Sequence, residues 1–521
     1  MNRPNLLLPE NVRWTEAQGD IVTLEHVTQK FGDKVVLDDL SLHIPVGKTT
    51  IIMGESGSGK SVLIKTMNGL LTPTQGVCKI FGKNTAQCDT VQMNALRKRT
   101  GTVLQNYALI DSISVCDNIA FPLVENTKMK YSEIRKRVEE ALEPLGLAYA
   151  IDMLPSELSG GMKKRVSFAR ALIHQPELAF FDEPTTGLDP VMIVFVDGLI
   201  KQMREMYDLT SVIISHDIQS IKRLADNVAF LHKGKIIFEG TLDEILRCQI
   251  PEVKAFFSAE NKAQKKTNDV VGEPYVKVRE LHKTFGDHQV LKGVSLDVPR
   301  RKITVIIGGS GSGKSVLLKH ILGLFVPDSG TVNVNGLELT KCGERERELM
   351  RTKIGMLFQG AALFDSMTVF DNIAFPLAER FKGPSKKEIK ERVEEMIERL
   401  KLSSIAYAWP SDISAGQRKR VGLARAIVTK PELMIYDEPT TGQDPIMIRY
   451  VDDMILEAHD LFELTTIVIS HDMISTFRIA DQIAMVYEGV IAAKGSPAEL
   501  MASSNENVQR MIRAQIPLKE A

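Results

Sequence analysis

Gly54-Glu55-Ser56-Gly57-Ser58-Gly59-Lys60-Ser61 is the stretch that decides the fold. It fits G-x-x-x-x-G-K-S and follows the strand-like run Thr49 to Met53. A helical pattern from Ser61 to Leu70 comes next, so the motif has the strand, loop and helix setting it requires. Glycines tolerate positive φ and let backbone N–H groups close around phosphate oxygens, while the helix adds the positive end of its dipole. Lys60 is spaced to reach the β and γ phosphates of a nucleotide, and Ser61 to hold Mg²⁺. The pattern returns as Gly308-Gly309-Ser310-Gly311-Ser312-Gly313-Lys314-Ser315, after the apolar run Ile303 to Ile307 and before Val316, Leu317, Ile321 and Leu322. A chance glycine turn can explain one copy; it does not explain two in one register.

Lys60 and Lys314 are 254 residues apart, and Asp-Asn-Ile-Ala-Phe-Pro-Leu recurs verbatim at 117 to 123 and 371 to 377 with the same offset. The 521 residues are therefore a tandem duplication with a period far too long for a solenoid, and each half is expected to be a domain. We place the first at 1–259, a polar, lysine-rich linker at 260–274 and the second at 275–521. Fifteen extended residues span at most about 50 Å, enough to join neighbouring domains. A formal net charge of −1 gives no global basic field of the kind that binds nucleic acid. Five scattered cysteines without a C-x-x-C pair fit a reducing cytosol. No run approaches 18 apolar residues, so the chain is expected neither to span a membrane nor to carry a secretory signal.

Ile21 to Leu24 and Val35 to Pro45 read as short strands around a Phe31-Gly32 turn, matched by Phe285-Gly286. Each phenylalanine is either ordinary packing or a platform for a purine base. Turns are expected at Gly76 and Gly82, and Asn335-Gly336 signals a hairpin. Apolar strands then end at Gln105 and Gln359. Ile389, Val393, Met396, Ile397 and Leu400 repeat at helical spacing behind a capping box of Ser385 and Glu388. Further on, Leu158-Ser159-Gly160-Gly161-Met162 and Ile413-Ser414-Ala415-Gly416-Gln417 each open a helix with a serine cap and small residues, a second type of anion cradle. The apolar runs Leu178 to Phe181 and Leu433 to Tyr436 deliver Asp182-Glu183 and Asp437-Glu438, and a buried strand that ends in two carboxylates is costly unless they are used. One can join a Mg²⁺ shell while the other accepts a proton from water. The β-rich runs 211 to 215 and 466 to 470 deliver His216 and His471.

These motifs, in this order and twice over, resemble the ATP-binding cassette ATPases across nearly the whole chain. The resemblance implies an α/β fold of two tandem P-loop NTPase domains, each a mostly parallel core sheet with an antiparallel β subdomain and a helical subdomain. The phosphate loops look like Walker A, Gln105 and Gln359 like Q-loops that help hold the metal, and Ser159-Gly160-Gly161 and Ser414-Ala415-Gly416 like signatures. Asp182 and Asp437 look like the Walker B aspartates on Mg²⁺. Glu183 and Glu438 resemble the general bases, and His216 and His471 the switch histidines. Phe31 and Phe285 stand where the family stacks adenine. The resemblance further implies two composite ATP sites, each joining one half's Walker A to the other half's signature: Gly54, Ser56, Gly57, Gly59, Lys60 and Ser61 with Ser414 to Gly416, and Gly308, Ser310, Gly311, Gly313, Lys314 and Ser315 with Ser159 to Gly161. Met162 and Ala415 depart from the usual signature glutamine and glycine.

A closer resemblance is to the ATPases of MCE-type lipid transporters. It rests on Gly-Lys-Ser-Val-Leu-Leu-Lys-His at 313 to 320, on 357 to 366, on Leu-Ser-Gly-Gly-Met and on Thr441-Gly442-Gln443-Asp444-Pro445. It implies lipid transport, a polytopic permease contacted near 108 to 122 and 362 to 376, an MCE lipid-binding protein, and a peripheral position on the inner face of the cell membrane. Members of that group usually carry one cassette per chain, so the fusion is a departure. Sugar or peptide importers also use tandem cassettes. Translation factors with two cassettes typically carry a long charged helical linker, which 260–274 does not provide, and DNA-repair cassettes carry coiled-coil insertions, which this chain lacks.

Overall fold

The computed structural model describes residues 19–104, 107–258, 273–379 and 383–516. The chain divides near residue 260 into two compact units. Gln105 and most of the expected linker lie outside the described residues.

In the first unit a six-stranded sheet runs in the order Lys235–Thr241, Asn227–His232, Thr49–Met53, Thr210–Ile214, Leu178–Asp182, Thr100–Val103. Its neighbours pair in parallel except the first two. The second unit repeats that order with Val490–Gly495, Gln482–Tyr487, Ile303–Ile307, Thr465–Ile469, Leu433–Asp437 and Ile354–Leu357. Central strands such as Thr49–Met53 and Ile303–Ile307 are buried at every position, as expected of parallel strands covered on both faces. Alternation along Ile303–Ile307 divides the second core. Ile303, Val305 and Ile307 pack toward the helical layer, while Ile306 packs toward the antiparallel sheet.

A separate four-stranded antiparallel sheet accompanies each core: Lys34–Pro45, Asp20–Phe31, Gln75–Ile80 and Lys83–Asn84 in the first unit, and His288–Val298, Val276–Phe285, Ser329–Val334 and Leu337–Glu338 in the second. Lys34–Pro45 lies where the sequence pattern predicts it, whereas Asp20–Phe31, at twelve residues, runs well past the expected Leu24. Register shifts between Leu24 and Val27, with His26 at φ 52°, break the alternation that would have marked the full length. Gly76 is not a turn. It lies in the strand Gln75–Ile80 at φ +86°, where a Cβ would come within 2.2 Å of the His26 carbonyl oxygen. The expected hairpin forms, with Asn335 and Gly336 both at positive φ and Val334 paired to Leu337.

The helical layers consist of Val115–Asn126, Tyr131–Leu142 and Gly160–Leu172, and of Val369–Ala378, Lys386–Arg399 and Ala415–Ile427. Ser385 and Glu388 make the expected capping box. The helix after the first phosphate loop runs Lys60–Met67, ending earlier than expected because Asn68 caps it and Gly69 turns at φ +69°. Among the described residues, no helix is long and apolar enough to cross a membrane.

Candidate active site

Three adjacent parallel strands assemble the candidate site in each unit. Thr49–Met53 leads into the phosphate loop, its neighbour Thr210–Ile214 leads to His216, and the next strand, Leu178–Asp182, leads to Glu183. Residues far apart in sequence meet because all three strands end on one edge, where α/β sheets place their ligands. Ile303–Ile307, Thr465–Ile469 and Leu433–Asp437 do the same for Lys314, His471 and Glu438.

The phosphate loop is closed by its own lysine. Lys60 Nζ donates to the carbonyls of Gly54 and Glu55 at 2.8 Å, and Lys314 Nζ to those of Gly308 and Gly309 at 2.8 and 2.9 Å. Both lysines are buried, and burial pulls the Lys314 ammonium below the ordinary lysine range. The first glycine of each loop is dictated by its neighbours: a Cβ on Gly54 would sit 2.1 Å from the Leu231 carbonyl oxygen, and one on Gly308 2.3 Å from that of Val486. Ser61 and Ser315 are exposed at the second position of their helices.

Glu183 follows its strand at φ 49° and Glu438 at φ 48°, in the left-handed region. The Glu183 N–H donates to the Ile214 carbonyl and that of Glu438 to Ile469, which fixes both on the strand that delivers histidine. Glu183 Oε1 is 3.5 Å from His216 Nδ1, and Thr186 Oγ1 donates to Glu183 Oε2 at 2.9 Å. In the second unit the distances are 3.7 Å to His471 and 3.2 Å from Thr441. Burial pushes Glu183 up, but the His216 ring, Thr186 and Lys60 together hold it below the usual carboxylate range. For Glu438 the neighbouring His471 ring is the leading cause of the same lowering. Asp182 and Asp437 move the other way, raised by burial and then by the adjacent glutamate. Each unit thus holds one carboxylate readily ionised beside a histidine, and a second that an added cation would relieve.

That contrast suits Mg²⁺. The donor set is a serine hydroxyl and a carboxylate, hard oxygens of the kind Mg²⁺ takes while retaining water and substrate phosphate ligands. Among the described residues, no group of three or more His, Cys, Asp or Glu side chains could hold a metal alone.

The signature segments belong to the helical layer. Ser159 caps Gly160–Leu172 by accepting from the Met162 N–H at 3.3 Å, and Ser414 caps Ala415–Ile427 by accepting from the Gln417 N–H at 3.3 Å. Only the second has the reciprocal bond, Ser414 N–H to Gln417 Oε1 at 2.8 Å. The Met162 thioether is only a weak acceptor and does not supply it. Ser159, Gly160 and Ser414 are exposed, and Gly161, Ala415 and Gly416 partly so. Phe31 and Phe285 end their strands 49% and 43% exposed, available as flat platforms. Phe285 also makes an edge contact with Phe325 at 5.6 Å. Gln359 is exposed, and Lys419 binds its carbonyl.

Two pairs of structural residues went unread in the sequence. Asn118 accepts from the Ile110 N–H and donates to the carbonyls of Ile110, Ile113 and Ser114, within 2.8–3.2 Å. Asn372 repeats all four bonds with Phe364, Met367 and Thr368. Both belong to the verbatim heptapeptide, which was the available signal. Lys164 and Lys419 are buried in the signature helices, and the sequence marks Lys164 merely as one of three consecutive cations.

The family model described as ABC transporter matches residues 37–186 and again 291–441. A putative ABC transporter ATP-binding protein of Vibrio parahaemolyticus is 30% identical over 525 residues, covering 90% of this chain and 88% of its own. The intermembrane phospholipid transport system ATP-binding protein MlaF of Haemophilus influenzae is 39% identical over 242 residues, 46% of this chain and 92% of its own. The nucleoside import ATP-binding protein NupA of Lactococcus lactis is 28% identical, covering 92% of this chain and 96% of its own.

Proposed function

Because the chain belongs to the ABC transporter family as an ATP-hydrolysing subunit, we propose that its two cassettes drive phospholipid or other lipid transport through a separate membrane permease and an MCE lipid-binding protein. The observation that carries the cargo is the 39% identity with MlaF over one cassette length, together with the MCE-type residues around the second phosphate loop. We assign the cassettes to 1–259 and 275–521, joined by 260–274. The working position is the cytoplasmic face of the cell membrane.

Each ATP is held by one cassette's phosphate loop and completed by the other's signature, an arrangement supported by the family resemblance. Lys60 and Lys314 leave their loop carbonyls for the β and γ phosphates, and Phe31 and Phe285 stack on adenine. Ser61, Gln105 and Asp182, and Ser315, Gln359 and Asp437, would hold Mg²⁺, which when bound offsets charge on the phosphates. Glu183 and Glu438 accept the proton of the attacking water as its oxygen bonds to the γ phosphorus and the bond to ADP breaks. His216 and His471 orient that water and the γ phosphate. The helix starts at Ser159 and Ser414, whose serines are exposed, add positive ends to the charge clamp.

A docking surface for the permease is supported by a groove of about 510 Å³ in the first unit. It is lined by Leu104, Ala108, Ile110, Phe121 and Arg170, and the second unit exposes Phe358 and Phe364 at the equivalent places. The full-length match to NupA favours a second reading, an importer of small polar cargo with the same engine. Capture of the tagged chain from detergent-solubilised membranes, followed by mass spectrometry of proteins and lipids, separates the two. A permease with an MCE protein and enriched phospholipid is expected. A permease with a solute-binding protein instead removes the lipid assignment.

A further inference from the structure

Lys164 and Lys419 stand at the fifth position of the two signature helices, buried to 1% and 4% exposure. A buried ammonium loses its hydration and persists only where other groups replace the water. Here the replacements are backbone carbonyls around the strand exit that carries the glutamate. Lys164 Nζ donates to Thr186 O at 3.0 Å and to Glu183 O at 3.4 Å, with the Tyr107 ring 5.9 Å away. Lys419 Nζ donates to Pro439 O and, at 3.1 Å, to Gln359 O. Different carbonyls are used in the two units, yet the task is the same. A rigid helix that begins at the signature serine is tied to the turn from which the glutamate projects.

That turn needs holding. Glu183 and Glu438 are non-glycine residues at positive φ, a conformation that is disfavoured and persists where its surroundings fix it. Thr186 and Thr441 fix the carboxylates from one side, and the lysines fix the backbone from the other. We propose that Lys164 and Lys419 are positioning residues for hydrolysis, holding the glutamate turn in register with the helix that carries the signature. The inference rests on the reading of Glu183 and Glu438 as the general bases. Neither lysine touches the phosphate loop lysines' carbonyls, so removal is expected to act on turnover and not on nucleotide affinity.

Steady-state ATPase measurements on the full chain test this, with Lys164→Met and Lys419→Met combined, the corresponding pair of Gln variants, and Glu183→Gln with Glu438→Gln as control. The Met pair, which keeps length and loses the donor, is expected to lower kcat about 10-fold or more with KM for ATP within about 2-fold. The Gln pair, which keeps an N–H donor, is expected to recover part of kcat. If the Met pair does not fold, the Gln pair decides alone: lowered kcat at unchanged KM supports the inference, and wild-type kcat overturns it. A loss of kcat matched by an equal rise in KM also overturns it. Wild-type turnover in the glutamate pair would bring down the general-base reading and this inference together, whereas neutral lysine variants beside an inactive glutamate pair bring down the inference alone.

Discussion

The carboxylate of Glu183 lies 3.5 Å from Nδ1 of His216, and Glu438 repeats the relation to His471 at 3.7 Å. Both cassettes therefore present a carboxylate held ionised beside an imidazole, and nothing in this geometry marks one as a relic. Glu183→Gln and Glu438→Gln are each expected to lower ATP turnover measurably, and together to lower it at least about 100-fold while ATP binding is retained. Single-turnover phosphate release on the three variants checks this. A Glu183→Gln protein with undiminished turnover would remove the first site from the mechanism.

Asn118 and Asn372 each saturate one amide with four backbone bonds. Replacing Asn118 with Ala leaves an N–H and several carbonyls of the loop 110–114 without their partner, at a cost of about 2 kcal/mol. Urea unfolding should show the midpoint of Asn118→Ala below wild type. Asn118→Asp should also fall short, since a carboxylate cannot donate to the three carbonyls.

The signature caps differ by one bond, and exchanging residues should exchange it. Met162→Gln is expected to stabilise the first signature helix by about 0.5–1 kcal/mol, and Gln417→Met to destabilise the second by a similar amount. Thermal melts of the two variants, and of the double exchange, measure both signs. Equal melting temperatures in all four proteins would mean the reciprocal bond at Ser414 contributes nothing.

Burial lowers the pKa of both Lys164 and Lys419 to about 8. An unfolded chain keeps those protons to about pH 10.4. Between the two values the unfolded state binds more protons than the folded one, so stability rises with pH across that window. The contribution is complete above the unfolded pKa and is lost as pH falls through about 8. By pH 9.5 the gain is about 2 kcal/mol per lysine relative to pH 7.5. Chemical unfolding at these two pH values, wild type against the Lys→Met pair, should show that gain in wild type only.

The chemistry was readable from the sequence because it depends on short, rigid spacings: Lys60 six residues after Gly54, and a glutamate directly after a buried strand. Packing was less readable. Gly76 carries the usual signature of a turn, yet the reason for glycine is the His26 carbonyl pressed against it, a contact between distant segments. The helical pattern after Lys60 reads on to Leu70, but Asn68 and Gly69 end the helix sooner. Lys164 was hidden because a buried lysine and a solvated one look alike in a basic run. Its role depends on carbonyls 19 and 22 residues away.

Met162 and Gln417 occupy matching places on a single polypeptide, and this has a genetic consequence. In an assembly of two identical chains, one codon writes both copies of every residue, and a mutation strikes both at once. Here each copy has its own codon. A damaging change at one signature leaves its counterpart intact, and selection can test each separately. The missing cap bond at Ser159 beside the complete one at Ser414 is the kind of one-sided drift such an arrangement permits.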